Sequence, residues 1–137
     1  CLRPGLPGVS SRIRVTSVVG RFLEHSRVWQ FGNAGEDELY IGSADWMPRN
    51  FLRRVEAVVP VEVPRLRDRL RQLLQTYLED NRQAWELDAD GRYTQRVPDG
   101  EERASQARLL MDSWGFDSGL TGRREDGKQE TTEQLRD

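Results

Sequence analysis

The sequence of 137 residues has very few cysteines, histidines or lysines, with one of each. A single cysteine, Cys1, excludes an internal disulfide and a cysteine-based metal cluster within the chain. With only one histidine as well, a zinc site is not expected. No apolar run approaches the roughly 18 residues of a membrane span, and no signal peptide is recognisable. What is left is a polar globular domain.

Charged residues are abundant and nearly balanced. Lys and Arg number 21 against 23 Asp and Glu, which gives a formal net charge of -2. The mean hydropathy of -0.78 is low for a globular chain. This balance argues against a general binder of nucleic acids or membranes. Every basic residue except Lys128 is arginine. Arginine suits forked binding of phosphate or carboxylate, although codon bias is the favoured explanation for most of these residues.

Hydrophobic periodicity and turn residues predict an α/β domain over residues 1–114, followed by a disordered tail over 115–137. The chain begins without methionine, and we expect it to be a piece of a longer protein. Strands are predicted over 13–19, 26–31, 38–44 and 53–61, and two strand ends around an Asp-Gly turn over 82–97. The strand over 53–61 is apolar enough for the centre of a sheet.

Three helical segments are predicted. One or two turns over 21–25 separate the first two strands. A long amphipathic helix covers about 63–82, with Pro64 in its first turn, and a second helix covers 101–114. The residues expected to form their buried faces are Leu66, Leu70, Leu73, Leu74, Tyr77 and Leu78 in the first, and Ala104, Ala107, Leu110, Met111 and Trp114 in the second.

The only histidine, His25, is followed by Ser26 and Arg27. In a strand that begins near His25, side chains two residues apart share a face, so the imidazole and the guanidinium would be neighbours. Phosphoryl transfer uses such a pair, because an imidazole can be a nucleophile or a general acid/base and an arginine can hold phosphate oxygens. A histidine at a solvated sheet edge explains the same residues, so spacing alone decides nothing.

A second polar cluster, residues 41–50, follows the third predicted strand. Its candidates for phosphate binding or proton transfer are Ser43, Asp45, Arg49 and Asn50. The alternative is a polar loop in which Asp45 caps a short helical turn, with Trp46 and Met47 as core anchors.

Glu56 lies in the otherwise apolar strand predicted over 53–61. Burying a lone carboxylate is costly, so we expect Glu56 to form an ion pair with an arginine rather than to be catalytic. The adjacent Arg53 and Arg54 could face the same site as His25 or lie in solvent.

Three long segments carry a more specific pattern. They are "CLRPGLPGVSSRIRVTSVVGRFLEHSRVWQFGN" (1–33), "ELYIGSADWMPRNFLRRVEAVVPV" (38–61) and "RYTQRVPDGEERASQARLLM" (92–111). Together they resemble the C-terminal catalytic domain of bacterial polyphosphate kinase, the histidine-phosphorylating enzyme that makes inorganic polyphosphate from ATP. The motifs "RFLEHSR" and "SADWMPRN" are the most specific, and the resemblance ends near Trp114.

This resemblance implies a phospholipase D-like α/β domain, with a mixed sheet and packed helices, that is a fragment of a larger enzyme. His25 matches the family's second histidine, which contacts ATP phosphate and assists as general acid/base. The histidine that is phosphorylated belongs to the preceding domain, so this chain alone is expected to be inactive. The further candidates for binding ATP or phosphate are Arg27, Ser43, Asp45, Arg49 and Asn50.

The resemblance also implies the ligands and partners. ATP and ADP are the nucleotides, inorganic polyphosphate is the polymer, and Mg²⁺ is expected outside this chain. The partners are the preceding domains of the same chain in an expected homo-oligomer, with no nucleic acid. The implied location is the cytoplasm, with the periphery of the inner membrane as an alternative.

The phospholipase D superfamily motif itself is altered in this sequence. That motif has His-x-Lys, an Asp five residues after the Lys, and then Gly-Ser-x-Asn. Here Arg27 replaces the lysine, Gly32 takes the aspartate position, and "GSAD" over 42–45 ends in aspartate. A stand-alone phospholipase or nuclease is therefore disfavoured. Two other interpretations stay open: a non-catalytic phosphate- or polyphosphate-binding or assembly module, and a phosphodiesterase half-site completed by dimerisation.

Overall fold

The computed structural model of the protein describes residues 2–115. The strands are Val15–Val18 (β1), Val28–Phe31 (β2), Glu38–Gly42 (β3), Val58–Pro60 (β4), Ala84–Leu87 (β5) and Tyr93–Gln95 (β6). The α-helices are Pro48–Arg53 (α1), Pro64–Leu78 (α2) and Ser105–Gly115 (α3). Among the helices of this part of the chain, none is both long and apolar enough to cross a membrane. The predicted tail over 115–137 lies outside the described residues, except for its first residue.

The strands of residues 2–115 form two antiparallel sheets, in the orders β1-β5-β6 and β2-β3-β4. A tight turn at Asn33–Gly35, with positive φ at Ala34 (55°), joins β2 to β3. The predicted α/β class is confirmed. In place of the mixed sheet that the resemblance implied, the described strands pair only antiparallel. Short turns join β2 to β3 and β5 to β6, whereas a parallel pair needs a long crossover.

The strand predicted over 53–61 as the centre of a sheet is wrong in place and length. Helix α1 extends to Arg53, and only Val58–Pro60 form a strand. That strand, β4, lies at the edge of its sheet beside β3 and is exposed throughout. Pro60 gives the reason, because a residue without an N–H group cannot occupy a central strand.

The helical turns predicted over 21–25 are also wrong, since these residues form an irregular loop between β1 and β2. Within this loop, the Phe22 N–H donates a hydrogen bond to the side chain of Gln106, and the Phe22 carbonyl oxygen accepts one from it. Those two groups therefore find their partners in α3 rather than in a local helical turn.

Helix α2 is the amphipathic helix predicted over 63–82, and it begins at Pro64 as expected. The predicted apolar face is only partly covered: Leu70, Leu73, Leu74 and Tyr77 are half-buried, whereas Leu66 and Leu78 are exposed. An ionic contact also docks this helix. Arg71 donates from Nε and Nη2 to the two carboxylate oxygens of Asp37, at 2.9 and 2.7 Å, and Arg67 joins them at 3.2 Å. The hydrogen bond from Arg71 contributes most to lowering the pKa of Asp37 to about 2.

The buried face predicted for the second helix is wrong. Ala107, Leu110 and Met111 are exposed, and the buried residues of the first turn of α3 are polar, Ser105 and Gln106. Ala104 is half-buried, and the side chain of Trp114 lies outside the described part of the chain. Hydrogen bonds to other segments, rather than apolar burial, decide which side chains of this turn face the interior.

The core of residues 2–115 contains few apolar side chains and a larger number of buried polar ones. Leu39 and Ala84 lie in the central strands β3 and β5, one in each sheet. Asp80, 0% exposed, follows α2 and joins several segments. Its Oδ1 accepts backbone N–H groups of Arg82, Gln83 and Ala84 at 2.9, 2.6 and 3.1 Å. Its Oδ2 accepts the Ser105 N–H at 2.7 Å. Burial raises the pKa of Asp80, but these backbone donors outweigh it and lower the pKa overall.

Candidate active site

Arg27 and Asp45 form the best-defined charged pair of the site. Nε and Nη2 of Arg27 both donate to Oδ1 of Asp45, at 2.9 and 2.7 Å. The side chains are 24% and 40% exposed, so water screens the pair only in part. The hydrogen bond from Arg27, with the positive charges of Arg27 and Arg49, lowers the pKa of Asp45, although partial burial raises it. Asp45 is therefore a carboxylate at neutral pH.

The pairing of β2 with β3 brings Arg27 and Asp45 together. Arg27 directly precedes β2, and Asp45 follows shortly after β3. Because the two strands are antiparallel, the start of β2 lies beside the end of β3, and the Gly42 N–H donates to the Arg27 carbonyl at 3.1 Å. Gly42 allows this close packing, since a Cβ there would lie 2.7 Å from the Trp29 ring and 2.8 Å from the Ala57 carbonyl oxygen.

Asn50 supports Asp45 from α1. Its Nδ2 donates to the Asp45 carbonyl oxygen at 3.0 Å, and the residue is 3% exposed. Its Oδ1 is buried without a hydrogen-bond partner in the part of the chain that the structure describes. At this depth the amide holds the loop after β3 and does not face solvent.

The interpretation of residues 41–50 as a capped turn with core anchors is wrong. Helix α1 starts at Pro48, and the residue in the cap position is Met47, which makes no side-chain cap. Asp45 lies too early in the chain for that position, and its carboxylate is bound to Arg27. Trp46 and Met47 are exposed rather than anchored in the core, with Trp46 79% exposed.

His25 lies in the exposed loop before β2. Its carbonyl oxygen accepts a hydrogen bond from Nη1 of Arg27 at 2.7 Å. The imidazole makes no hydrogen bond or ion pair within residues 2–115. The expected sharing of a strand face is wrong, because β2 begins only at Val28. Arg27 therefore fixes the backbone of His25 and leaves the ring in solvent.

Ser43 is tied to a different partner from the other candidates. Its hydroxyl donates to Oε2 of Glu56 at 2.5 Å and accepts the Ala57 N–H at 3.1 Å. The arginine partner expected for Glu56 is not found among the described residues. Only half-buried, Glu56 keeps contact with water and needs no buried countercharge.

Three arginines on or beside α1 are exposed: Arg49, Arg53 and Arg54. Within residues 2–115 none of their guanidinium groups makes a hydrogen bond or an ion pair. Of these three, only Arg49 acts electrostatically on Asp45. Its donors face solvent beside the Arg27–Asp45 pair, so it can accept a phosphate without breaking an existing contact.

Three further residues of this region were not among the predicted site residues: Glu24, Tyr77 and Gln106. The Tyr77 hydroxyl donates to Oε2 of Glu24 at 2.9 Å, and Nε2 of Gln106 donates to Oε1 of Glu24 at 3.1 Å. Burial, and then the nearby Glu24 carboxylate, raise the pKa of Tyr77 to about 12. Periodicity predicts Tyr77 only as part of the apolar face of α2, and no pattern marks Gln106, whose partners lie 82 to 84 positions away in sequence.

The donor set does not fit a magnesium ion. Within the described residues, no three His, Cys, Asp or Glu side chains group in a way that could hold a metal. The Asp45 carboxylate is already bound to the Arg27 guanidinium. We therefore assign no step of a reaction on this chain to a metal ligand within it.

Comparison with known proteins identifies the family. The family model described as polyphosphate kinase C-terminal domain 2 matches residues 1–107. The polyphosphate kinase of Synechocystis sp. is 58% identical over 111 residues, which cover 81% of this chain and 15% of that protein. The polyphosphate kinase of Pseudomonas aeruginosa is 54% identical over 112 residues, covering 80% of this chain and 16% of that protein.

A solved structure agrees with these relatives. The crystal structure of polyphosphate kinase from Porphyromonas gingivalis superposes with a TM-score of 0.78 at 38% identity, covering 86% of this chain and 18% of that one. The chain spans about 15% of the length of the first of these relatives. The match confirms the fold class and the resemblance noted in the sequence. The chain belongs to the polyphosphate kinase family, of which it carries C-terminal domain 2.

Proposed function

We propose that this chain is the C-terminal part of an ATP:polyphosphate phosphotransferase in the cytoplasm. In this reaction the bond between the ATP γ-phosphorus and the bridging oxygen breaks, ADP leaves, and the phosphoryl group bonds to a histidine of the preceding domain. A terminal oxygen of polyphosphate then takes the phosphoryl group from that histidine. Because the nucleophile lies outside this chain, the chain alone does not make polyphosphate. Mg²⁺, the preceding domains and a homo-oligomeric assembly belong to the complete enzyme in this proposal.

His25 is the assisting imidazole in this scheme. It contacts a phosphate oxygen of ATP and exchanges a proton with it as charge develops during transfer. An imidazole changes its charge near neutral pH, so it can act in either direction. The supporting observation is geometric: the ring is exposed and unengaged within residues 2–115, while its backbone is fixed by Arg27.

The other candidates divide into two groups by their contacts. Arg49 is exposed and retains its donors, so we assign it to the phosphate groups of ATP or polyphosphate. Arg27, Asp45 and Asn50 are already bound to one another or to backbone groups, and we assign them to holding the loops on either side of the site. Ser43 is bound to Glu56 and plays the same supporting part.

The test uses a hybrid enzyme in which this chain replaces the matching segment of the Synechocystis polyphosphate kinase. We expect the hybrid to make polyphosphate from radiolabelled ATP. We expect His25→Ala to lower its kcat by about 10²- to 10⁴-fold, the usual contribution of general acid/base catalysis. His25→Gln keeps a hydrogen-bond donor but cannot exchange a proton, so its kcat should stay below about a tenth of the parent value.

The control variant is Glu62→Ala, at an exposed residue before α2, and it should leave kcat unchanged. An inactive hybrid with an unaltered, folded chain would contradict the proposal. Normal turnover of His25→Ala would contradict the role of His25 and favour a non-catalytic phosphate-binding module.

A further inference from the structure

The side-chain amide of Gln106 is bound to the loop that carries His25. Its Oε1 accepts the Phe22 N–H at 3.0 Å, and its Nε2 donates to the Phe22 carbonyl at 2.9 Å. Nε2 also donates to Oε1 of Glu24 at 3.1 Å. An amide has one oxygen and two N–H groups, so this loop takes up both donors and the acceptor. Gln106 pairs with Phe22 as a neighbouring strand would.

The loop is built to receive this amide. A Cβ on Gly20 would lie 2.2 Å from Oε1 of Gln106 and 2.7 Å from Nε2 of Gln83, so a larger residue there would displace the amide from this position. Gln106 itself is 5% exposed, which makes an unpaired amide there costly. Buried hydrogen bonds of this kind favour one position of the loop over the others.

Two further hydrogen bonds, made by Ser105 and Tyr77, help to fix Gln106 and the loop. The preceding residue, Ser105, donates its N–H to the buried Asp80 carboxylate at 2.7 Å, which fixes the start of α3. On the other side of the loop, Tyr77 of α2 donates its hydroxyl to Glu24, the residue directly before His25. Two helices therefore hold the loop through side chains that make no hydrogen bond to the imidazole.

We propose that Gln106 is a positioning residue for His25, holding the loop over 20–25 so that the imidazole meets the transferring phosphoryl group. This inference rests on the proposed function of His25 and extends it to α3. The side-chain hydrogen bonds of Gln106 go only to the Phe22 backbone and the Glu24 carboxylate, so it acts through His25 and not on the substrate.

The decisive experiment is a double-mutant cycle in the hybrid enzyme. Gln106→Met keeps the side-chain volume and removes the hydrogen bonds. We expect it to lower kcat by about 10- to 100-fold, because small displacements of a catalytic group have effects of that size. In the His25→Ala background the same change should lower kcat by less than about twofold, because the group it positions is gone. Gln75→Met, at an exposed glutamine of α2, is the matched control and should have no effect in either background.

Hydrogen exchange of the peptide containing Phe22 gives a second readout. Gln106→Met should speed exchange of the Phe22 amide, and Gln75→Met should not. If Gln106→Met prevents folding, Tyr77→Phe removes a single hydroxyl from the same loop support. It should lower kcat about two- to fivefold only where His25 is present.

The outcomes separate the two proposals. Normal activity of His25→Ala overturns the proposed function and this inference with it. The positioning role alone is overturned if His25→Ala lowers kcat but Gln106→Met does not lower it, or lowers it equally with and without His25.

Discussion

Arg27 binds Asp45 and the backbone of His25 with one guanidinium group. Nε and Nη2 lie 2.9 and 2.7 Å from Oδ1 of Asp45, and Nη1 lies 2.7 Å from the His25 carbonyl. This arrangement links the loop before β2 to the segment after β3. The loop that carries His25 therefore has three supports, which are Arg27, Gln106 and, through Glu24, Tyr77.

The Arg27 contacts need a planar fork. Arg27→Lys keeps the positive charge, but a single ammonium group cannot reach both Asp45 and the His25 carbonyl in this geometry. We expect it to lower the free energy of unfolding by about 1–2 kcal/mol, which is below the full range of about 1.5–3 kcal/mol for hydrogen bonds to charged groups because water partly screens the pair. Urea unfolding followed by fluorescence measures this, and Arg65→Lys, at an exposed site in the first turn of α2, should change it by less than about 0.5 kcal/mol. Equal effects of the two variants would mean that the fork contributes nothing.

The contact between Asp37 and α2 makes stability depend on pH. The pKa of Asp37 is lowered from 3.8 to about 2 by Arg71 first and also by Arg67, so the unfolded chain takes up this proton at a higher pH than the folded one. The contribution of Asp37 is therefore fully present above the unfolded pKa and is lost as the pH falls through about 2. We expect Asp37→Asn to be less stable than the parent chain at pH 6, with a difference in urea midpoint that shrinks as the pH is lowered.

Asp68→Asn is the control for that pH series. Asp68 also pairs with Arg71, but its side chain is 65% exposed. Its difference from the parent chain should be small across the whole range. A difference for Asp37→Asn that stays constant from pH 6 down to the acid limit would show that the carboxylate is not the source.

The buried carboxylate of Asp80 is expected to contribute more to the free energy of unfolding than the Arg27 contacts do. Asp80→Ala leaves the N–H groups that it binds, including that of Ser105, without their acceptor in a site with 0% exposure. We expect a loss of about 3–5 kcal/mol in the free energy of unfolding, since several buried donors lose their partners together. Thermal and urea unfolding measure it. Asp90→Ala, in the exposed turn between β5 and β6, should cost less than about 0.5 kcal/mol.

Sequence patterns correctly predicted the helices and strands that are determined by residues close together in the chain. Pro64 and the leucine spacing mark α2, and the turn residues Asn33 and Gly35 and the Asp-Gly turn mark the hairpins that became β2-β3 and β5-β6. The same patterns failed where a distant partner decides. The loop over 21–25 has a helix-like composition, yet Gln106 binds its backbone, and Pro60 confines β4 to an edge.

The candidate site shows the same division. Sequence motifs identified the candidates, and the segments around them identified the family; the candidates are His25, Arg27, Ser43, Asp45, Arg49 and Asn50. Their contacts could not be predicted, because the antiparallel pairing of β2 with β3 is what joins Arg27 to Asp45. The expected pairing of the His25 and Arg27 side chains was wrong, since the strand begins after both residues.

By itself, then, the sequence determined the α/β class, the family and the single histidine on which the proposed chemistry depends, because these follow from residue types and local spacing. Only the tertiary structure decided which groups hold that histidine. Gln106 reaches Phe22 across 84 positions of the chain, and such a contact exists only after the helices and sheets have packed.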